Sequence, residues 1–209
     1  MSSKEYFGRV AKEWDQMRQG FFSEEVRERA YEMAQVERGR LAADIGAGTG
    51  FITEGLVDRG VKVIAVDQSE EMLAEMKRKF SGSHDIDYRI GDAESLPLLD
   101  GEVDYVFANM FLHHVEEPEG VIKEMVRILK PGGKLIITDL DEHEHEFLRT
   151  EQNDRWMGFD RDDVKKWLLS AGLKNVLVDC VGTECCSSSS CSCQDAKISI
   201  FAAVGETVL

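Results

Sequence analysis

Long apolar runs are missing from this 209-residue chain. No stretch is apolar for long enough to cross a bilayer. The opening residues, Met1-Ser2-Ser3-Lys4-Glu5-Tyr6, hold no apolar segment of the kind that directs secretion. The expectation is a cytoplasmic protein with no membrane partner. Basic residues are few: 25 Lys and Arg stand against 40 Asp and Glu, for a net charge of −15. So acidic a surface repels phosphate backbones, and no Lys/Arg run interrupts it, so nucleic acid is not expected as a substrate. No cysteine precedes Cys180, and all five lie between Cys180 and Cys193. An odd number of thiols in one short segment is not the framework of a disulfide-stapled fold; in a reducing compartment it suggests metal binding or redox chemistry. The remaining composition, 43% hydrophobic and 31% charged, suits one domain with a real core.

The most informative stretch is Asp44-Ile45-Gly46-Ala47-Gly48-Thr49-Gly50. An apolar run precedes it and residues of helical spacing follow, so the glycines occupy a strand-to-helix turn. Glycine allows positive φ and close approach of a ligand, and the helix start offers unpaired N–H groups. A phosphate-binding loop would need Lys and Ser/Thr after the glycines, where Phe51-Ile52 stand. A dinucleotide fingerprint needs its third glycine one place later, at Phe51. Asp44 would repel a pyrophosphate and suits a ligand carrying an ammonium group.

Strands are expected at 41–45, 62–66, 86–90, 103–108 and 134–138, with helices between them. That alternation implies a parallel sheet with right-handed crossovers. Ligands of such sheets bind outside the strands' C-terminal ends, where Asp44, Asp67, Asp92, Asn109 and Asp139 all fall. Asp67 stands about 20 residues beyond the glycine turn, the separation at which a carboxylate meets ribose hydroxyls. Ser69, followed by Glu70 and Glu71, is the better helix cap and leaves Asp67 for the ligand. Residues 2–36 read as helical, with a helix starting at Ser23 and with Tyr6, Trp14 and Arg18 as a lid. Strands at 175–181 and 196–204 should form an antiparallel hairpin. The acidic and imidazole run at 140–146 reads as a solvated helix start, or as a place where His143 or His145 meets a substrate or metal.

As a set, Asp44 to Gly50, Asp67, Gly91-Asp92-Ala93-Glu94, Asn109 to His114 and Leu129-Lys130-Pro131-Gly132-Gly133 resemble class I S-adenosylmethionine-dependent methyltransferases of the ubiquinone-biosynthesis, or type 11, kind. The resemblance implies an α/β, Rossmann-like, seven-stranded sheet. It is mostly parallel with a reversed last strand, carries helices on both faces, and has an N-terminal helical lid. One domain would comprise helices at 1–39, a cofactor core at 40–139, and substrate-side helices with the hairpin at 140–209. The implied cofactor is S-adenosylmethionine. Its expected contacts are Asp44, Gly46, Gly48, Gly50, Asp67, Gln68, Met72, Asp92, Ala93 and Asn109. His113, His114 and Asp139 are the candidate catalytic groups for an oxygen or nitrogen acceptor.

Cys185, Cys186, Cys191 and Cys193 lie in a serine-rich hairpin tip at the same sheet edge. Thiolates select soft ions, so these four are candidate ligands for a metal or for a thiophilic substrate such as arsenite. Arsenite methyltransferases also combine this core with cysteines, though some of theirs lie well upstream. Three functions remain open: methylation of a thiol or metalloid held by the loop, O-, C- or N-methylation of a small metabolite, and a non-catalytic metal or cofactor sensor.

Overall fold

The computed structural model describes residues 3–188 and 195–208. Three helices come first: α1 (Ser3–Val10), α2 (Trp14–Phe21) and α3 (Glu25–Ala34). Then β1 (Leu41–Ile45), α4 (Phe51–Asp58), β2 (Lys62–Asp67), α5 (Glu70–Lys79), β3 (Ile86–Ile90) and β4 (Val103–Asn109) alternate. A single 3-10 turn (Leu112–His114) leads to α6 (Pro118–Arg127), β5 (Leu129–Leu140), α7 (Phe147–Glu151), α8 (Arg161–Ser170), β6 (Lys174–Ser188) and β7 (Asp195–Glu206).

The seven strands lie in the order β3-β2-β1-β4-β5-β7-β6. β1 to β5 are parallel, whereas β7 runs antiparallel to both β5 and β6. This is the expected Rossmann-like sheet with its last strand reversed. Alternation of side chains across a strand divides the core in two. Ala43, Ile45, Val106 and Ile137 face α6 and α8, against Val121, Met125, Val164 and Leu168. Ala42, Val63, Phe107 and Ile136 face the other layer, against Val26, Tyr31, Ile52 and Leu56. Each of the buried Val, Leu, Ile, Phe and Met side chains among these contributes roughly 1.5–3 kcal/mol. No helix among the described residues is long and apolar enough to cross a membrane.

Local chemistry sets the helix starts. Ser69 Oγ accepts from the Met72 N–H at 3.2 Å and caps α5, as the sequence suggested. Ser23 does not cap α3, which begins at Glu25 behind Glu24, with no side-chain cap. The acidic stretch after β5 runs irregularly, tied to the chain at Phe159 by Glu142 N–H at 3.1 Å, and reaches a helix only at its last residue, Glu146, the N-cap of α7.

β5 starts earlier than the Pro-Gly-Gly turn signal implied. Leu129 pairs with Val103, and a register shift absorbs the residues before Lys134. β6 and β7 extend far beyond their expected ends, so Cys185 and Cys186 are strand residues, opposite Ile198 and Lys197.

Gly50 opens α4 with φ +93°, and a Cβ there would lie 2.6 Å from the Phe80 ring and 2.9 Å from Met76 Cε. Gly50→Ala is therefore expected to lower the unfolding free energy by about 1–3 kcal/mol, from backbone strain and overpacking together. Urea unfolding checks this; an unchanged midpoint would show that α5 retreats freely.

Candidate active site

β1 delivers the chain into the glycine turn. Gly46 has φ +66°, and a Cβ there would come within 2.3 Å of the Phe111 ring, so only glycine fits. The Gly48 N–H donates to Asp67 Oδ2 at 2.8 Å, and the Ser69 N–H donates to Oδ1 at 2.8 Å. The carboxylate ending β2 thus clamps the turn ending β1, and each oxygen keeps further acceptor capacity. Burial raises the Asp67 pKa, against the lowering effect of these backbone bonds.

Above the turn lies a cavity of about 340 Å³, within the size range of small-molecule sites. Gly46, Gly48, Asp67, Gln68 and Met72 line one side, and Asp92, Ala93 and Asn109 line the other. These are the expected cofactor residues, brought together from four consecutive strand ends. Phe7, Trp14 and Arg18 from α1 and α2 complete the wall; Tyr6 does not line it and packs edge-on against Phe7 at 5.1 Å. Thr49 Oγ1 donates to Asp15 Oδ1 at 2.6 Å, which ties α2 to the glycine turn. The Arg18 guanidinium lies 4.2 Å from the centre of the Phe51 ring and reaches Glu24 at 3.2 Å. Its Nε is buried and lacks a hydrogen-bond partner.

Two expected cofactor contacts lie behind the wall. Asp44 is 2% exposed, and its Oδ2 accepts from Thr53 N–H at 3.1 Å and Thr53 Oγ1 at 2.7 Å. Its even position in β1 turns it toward α4, so it pins the helix to the strand and does not line the cavity. Burial pushes its pKa up to about 7, with the Thr53 bonds opposing and Asp67 adding to the rise. Gly50 also stays off the wall, because its missing side chain makes room for α5.

The candidate catalytic groups separate in the same way. His114 lines the cavity, under the Phe7 ring at 5.0 Å. His113 and Asp139 do not: they are 4% and 0% exposed, paired Nδ1 to Oδ1 at 2.6 Å. Asp139 Oδ2 also accepts from the Leu112 N–H at 2.8 Å, so it fixes the whole 3-10 turn. Burial works to lower the His113 pKa, but the charge and hydrogen bond of Asp139, then Asp154, carry it to about 9. Burial and the neighbouring His113 hold His114 well below its ordinary value. Of the three expected catalytic groups, His114 thus lies on the cavity wall, and His113 and Asp139 lie behind it.

Asp154 was not foreseen. Its Oδ1 lies 3.7 Å from His113 Nε2 and 3.8 Å from His114 Nδ1. Burial first, and Asp139 second, raise its pKa to about 6, against His113. The N–H groups of Arg155 and Trp156 donate to the His113 carbonyl at 3.0 and 3.1 Å, which holds this distant loop in place. No local pattern around Asn153-Asp154-Arg155 announces that contact.

The structure describes two of the four expected thiol ligands. Cys185 is buried and Cys186 exposed, on opposite faces of β6, so this adjacent pair does not chelate one ion. Burial pushes the Cys185 pKa up to about 12, so its sulfur stays protonated at neutral pH. Cys191 and Cys193 lie outside the described residues.

A family model described as "Methyltransferase domain" matches residues 43–137. Over 101 residues the chain is 41% identical to a demethylmenaquinone methyltransferase of Renibacterium salmoninarum, covering 48% of this chain and 41% of that protein. Over 181 residues it is 31% identical to a malonyl-[acyl-carrier protein] O-methyltransferase of Marinomonas sp., covering 83% of this chain and 66% of that one. The chain thus spans about two-fifths of the first relative's length and about two-thirds of the second's. Among solved structures, a chain from the complex of the Haloferax volcanii Trm112 methyltransferase activator with a methyltransferase superposes with a TM-score of 0.80 at 22% identity. That match covers 97% of this chain and 98% of that one, and it shows the shared fold.

Asp44 gives a pH test. Its folded pKa, about 7, exceeds the unfolded value near 4. Its contribution to stability is therefore complete below about pH 4 and lost as the pH rises through 7. Asp44→Asn should match the native chain at pH 4 and exceed it at pH 8 by roughly 1–4 kcal/mol in urea unfolding. Equal differences at both pH values would mean that Asp44 ionises freely.

Proposed function

The chain belongs to the class I S-adenosylmethionine-dependent methyltransferase family, and we propose that its cavity binds S-adenosylmethionine for methyl transfer to a small molecule. The observation that carries this reading is the convergence of the glycine turn, Asp67, Asp92 and the lid's Arg18 on one cavity. Bound there, S-adenosylmethionine supplies a methyl group on an already activated sulfonium. Asp67 accepts the ribose hydroxyls with the lone pairs its two backbone donors leave. Met72 and Ala93 flank the adenine, and Asp92 accepts from its amino group. Arg18 tests the fit: a buried Nε donor without a partner suits the carboxylate of an amino-acid moiety.

The protein's remaining task is to align the acceptor and exclude water. Phe7 and Trp14 do the second as cavity walls under the lid. Residues 109–114 border the acceptor end, and among the three candidate catalytic side chains His114 is the one on the wall. This supports an acceptor with a polar oxygen or nitrogen group. A metalloid held by thiolates is less well supported, because Cys185 is sealed and protonated.

Calorimetric titration with S-adenosylhomocysteine should give one site per chain. Arg18→Ala and Asp67→Asn should each weaken it at least about tenfold, or ~1.4 kcal/mol, whereas Cys185→Ser should not. Absence of heat with folded native protein would defeat the reading. Labelled-methyl assays over hydroxyl, amine, thiol and arsenite acceptors then assign the class, and arsenite methylation that Cys185→Ser abolishes would restore the thiol alternative.

A further inference from the structure

Beside the acceptor end, His113, His114 and Asp154 bring one ligand atom each within 4.8 Å of one another. They come from the turn after β4 and from the loop after α7, and that loop is anchored by backbone bonds to the His113 carbonyl. We propose that these three side chains bind a divalent transition-metal ion of the zinc class.

The separations favour this over a simple hydrogen-bonded triad. Asp154 Oδ1 lies 3.7 Å from His113 Nε2 and 3.8 Å from His114 Nδ1. Both gaps exceed hydrogen-bond length. Two ligands of one tetrahedral ion with bonds of about 2.1 Å stand about 3.4 Å apart, so small side-chain shifts complete the sphere. Asp139 supplies what a metal-bound imidazole requires. It holds His113 Nδ1 at 2.6 Å, which orients the ring and directs Nε2 to the ion. Two imidazoles and one carboxylate suit zinc, cobalt, nickel or iron better than calcium or magnesium. Three protein ligands leave a coordination position open. Because His114 also lines the cavity, an ion held here would stand beside it and, if the methyltransferase reading holds, would supply Lewis-acid chemistry to an acceptor oxygen.

The test uses the full chain with zinc chloride and, for spectra, cobalt chloride. Equilibrium dialysis should retain one zinc ion per chain, also after all five cysteines are changed to serine. The cobalt form should show the visible bands of a nitrogen- and oxygen-ligated site, without sulfur charge-transfer absorption. Asp154→Asn and His114→Gln should each weaken zinc binding at least tenfold, with Asp154→Asn leaving S-adenosylhomocysteine affinity within twofold. Should the five-serine chain not fold, the cobalt spectrum of the native chain decides. No retained ion, equal retention by both variants, or thiolate absorption would each overturn the site. Metal retention without S-adenosylhomocysteine binding would leave this site standing and remove the methyltransferase reading instead.

Discussion

One hydrogen bond organises the ligand site: the Gly48 N–H on Asp67 Oδ2. It joins the turn after β1 to the end of β2, so the two parts of the cavity floor move as one. Asp67 is costly to bury, and the Gly48 and Ser69 N–H groups offset that cost. Ser69 is then free to cap α5 through its side chain while its backbone serves Asp67. Turn, carboxylate and helix start form one rigid piece, the kind of support that keeps a binding group within reach of its ligand.

A second buried carboxylate organises the opposite end. Asp139 receives the Leu112 N–H, its own neighbour Leu140 N–H and the His113 ring. It thereby converts the end of β5 into a mount for the 3-10 turn after β4. Asp154 completes the arrangement from the loop after α7. The two ends differ in kind: around Asp67 the backbone donates, whereas around Asp139 and Asp154 imidazoles share the work. The Asp67 end is thus held by backbone donors, and the Asp139 end by titratable side chains.

Much of this was legible because parallel sheets place chemistry at strand ends. Asp67, Asp92 and Asn109 could be located from strand boundaries alone, and Ser69 from the acids that follow it. Asp44 lies off the cavity wall for a reason the sequence contains: Ala42 and Asp44 share a strand face, and that face meets α4. Parity, rather than the motif, places its side chain. Serine-rich composition hid the length of β6, since Ile198 and Ile200 across the hairpin supply the apolar partners that the thiol segment lacks. Pro131-Gly132-Gly133 likewise read as a stop, yet Gly133 lets β5 approach the Asp104 carbonyl, 3.0 Å from where a Cβ would stand. Asp154 was invisible because its position depends on backbone bonds across some 40 residues of chain.

The bond between Thr49 and Asp15 also decides what covers the glycine turn. α2 rests on the glycine turn, and Lys79 holds Asp15 from below at 3.5 Å. Anything lodged on that turn would lie under α2, so that uncovering it by lifting α2 would cost both attachments at once.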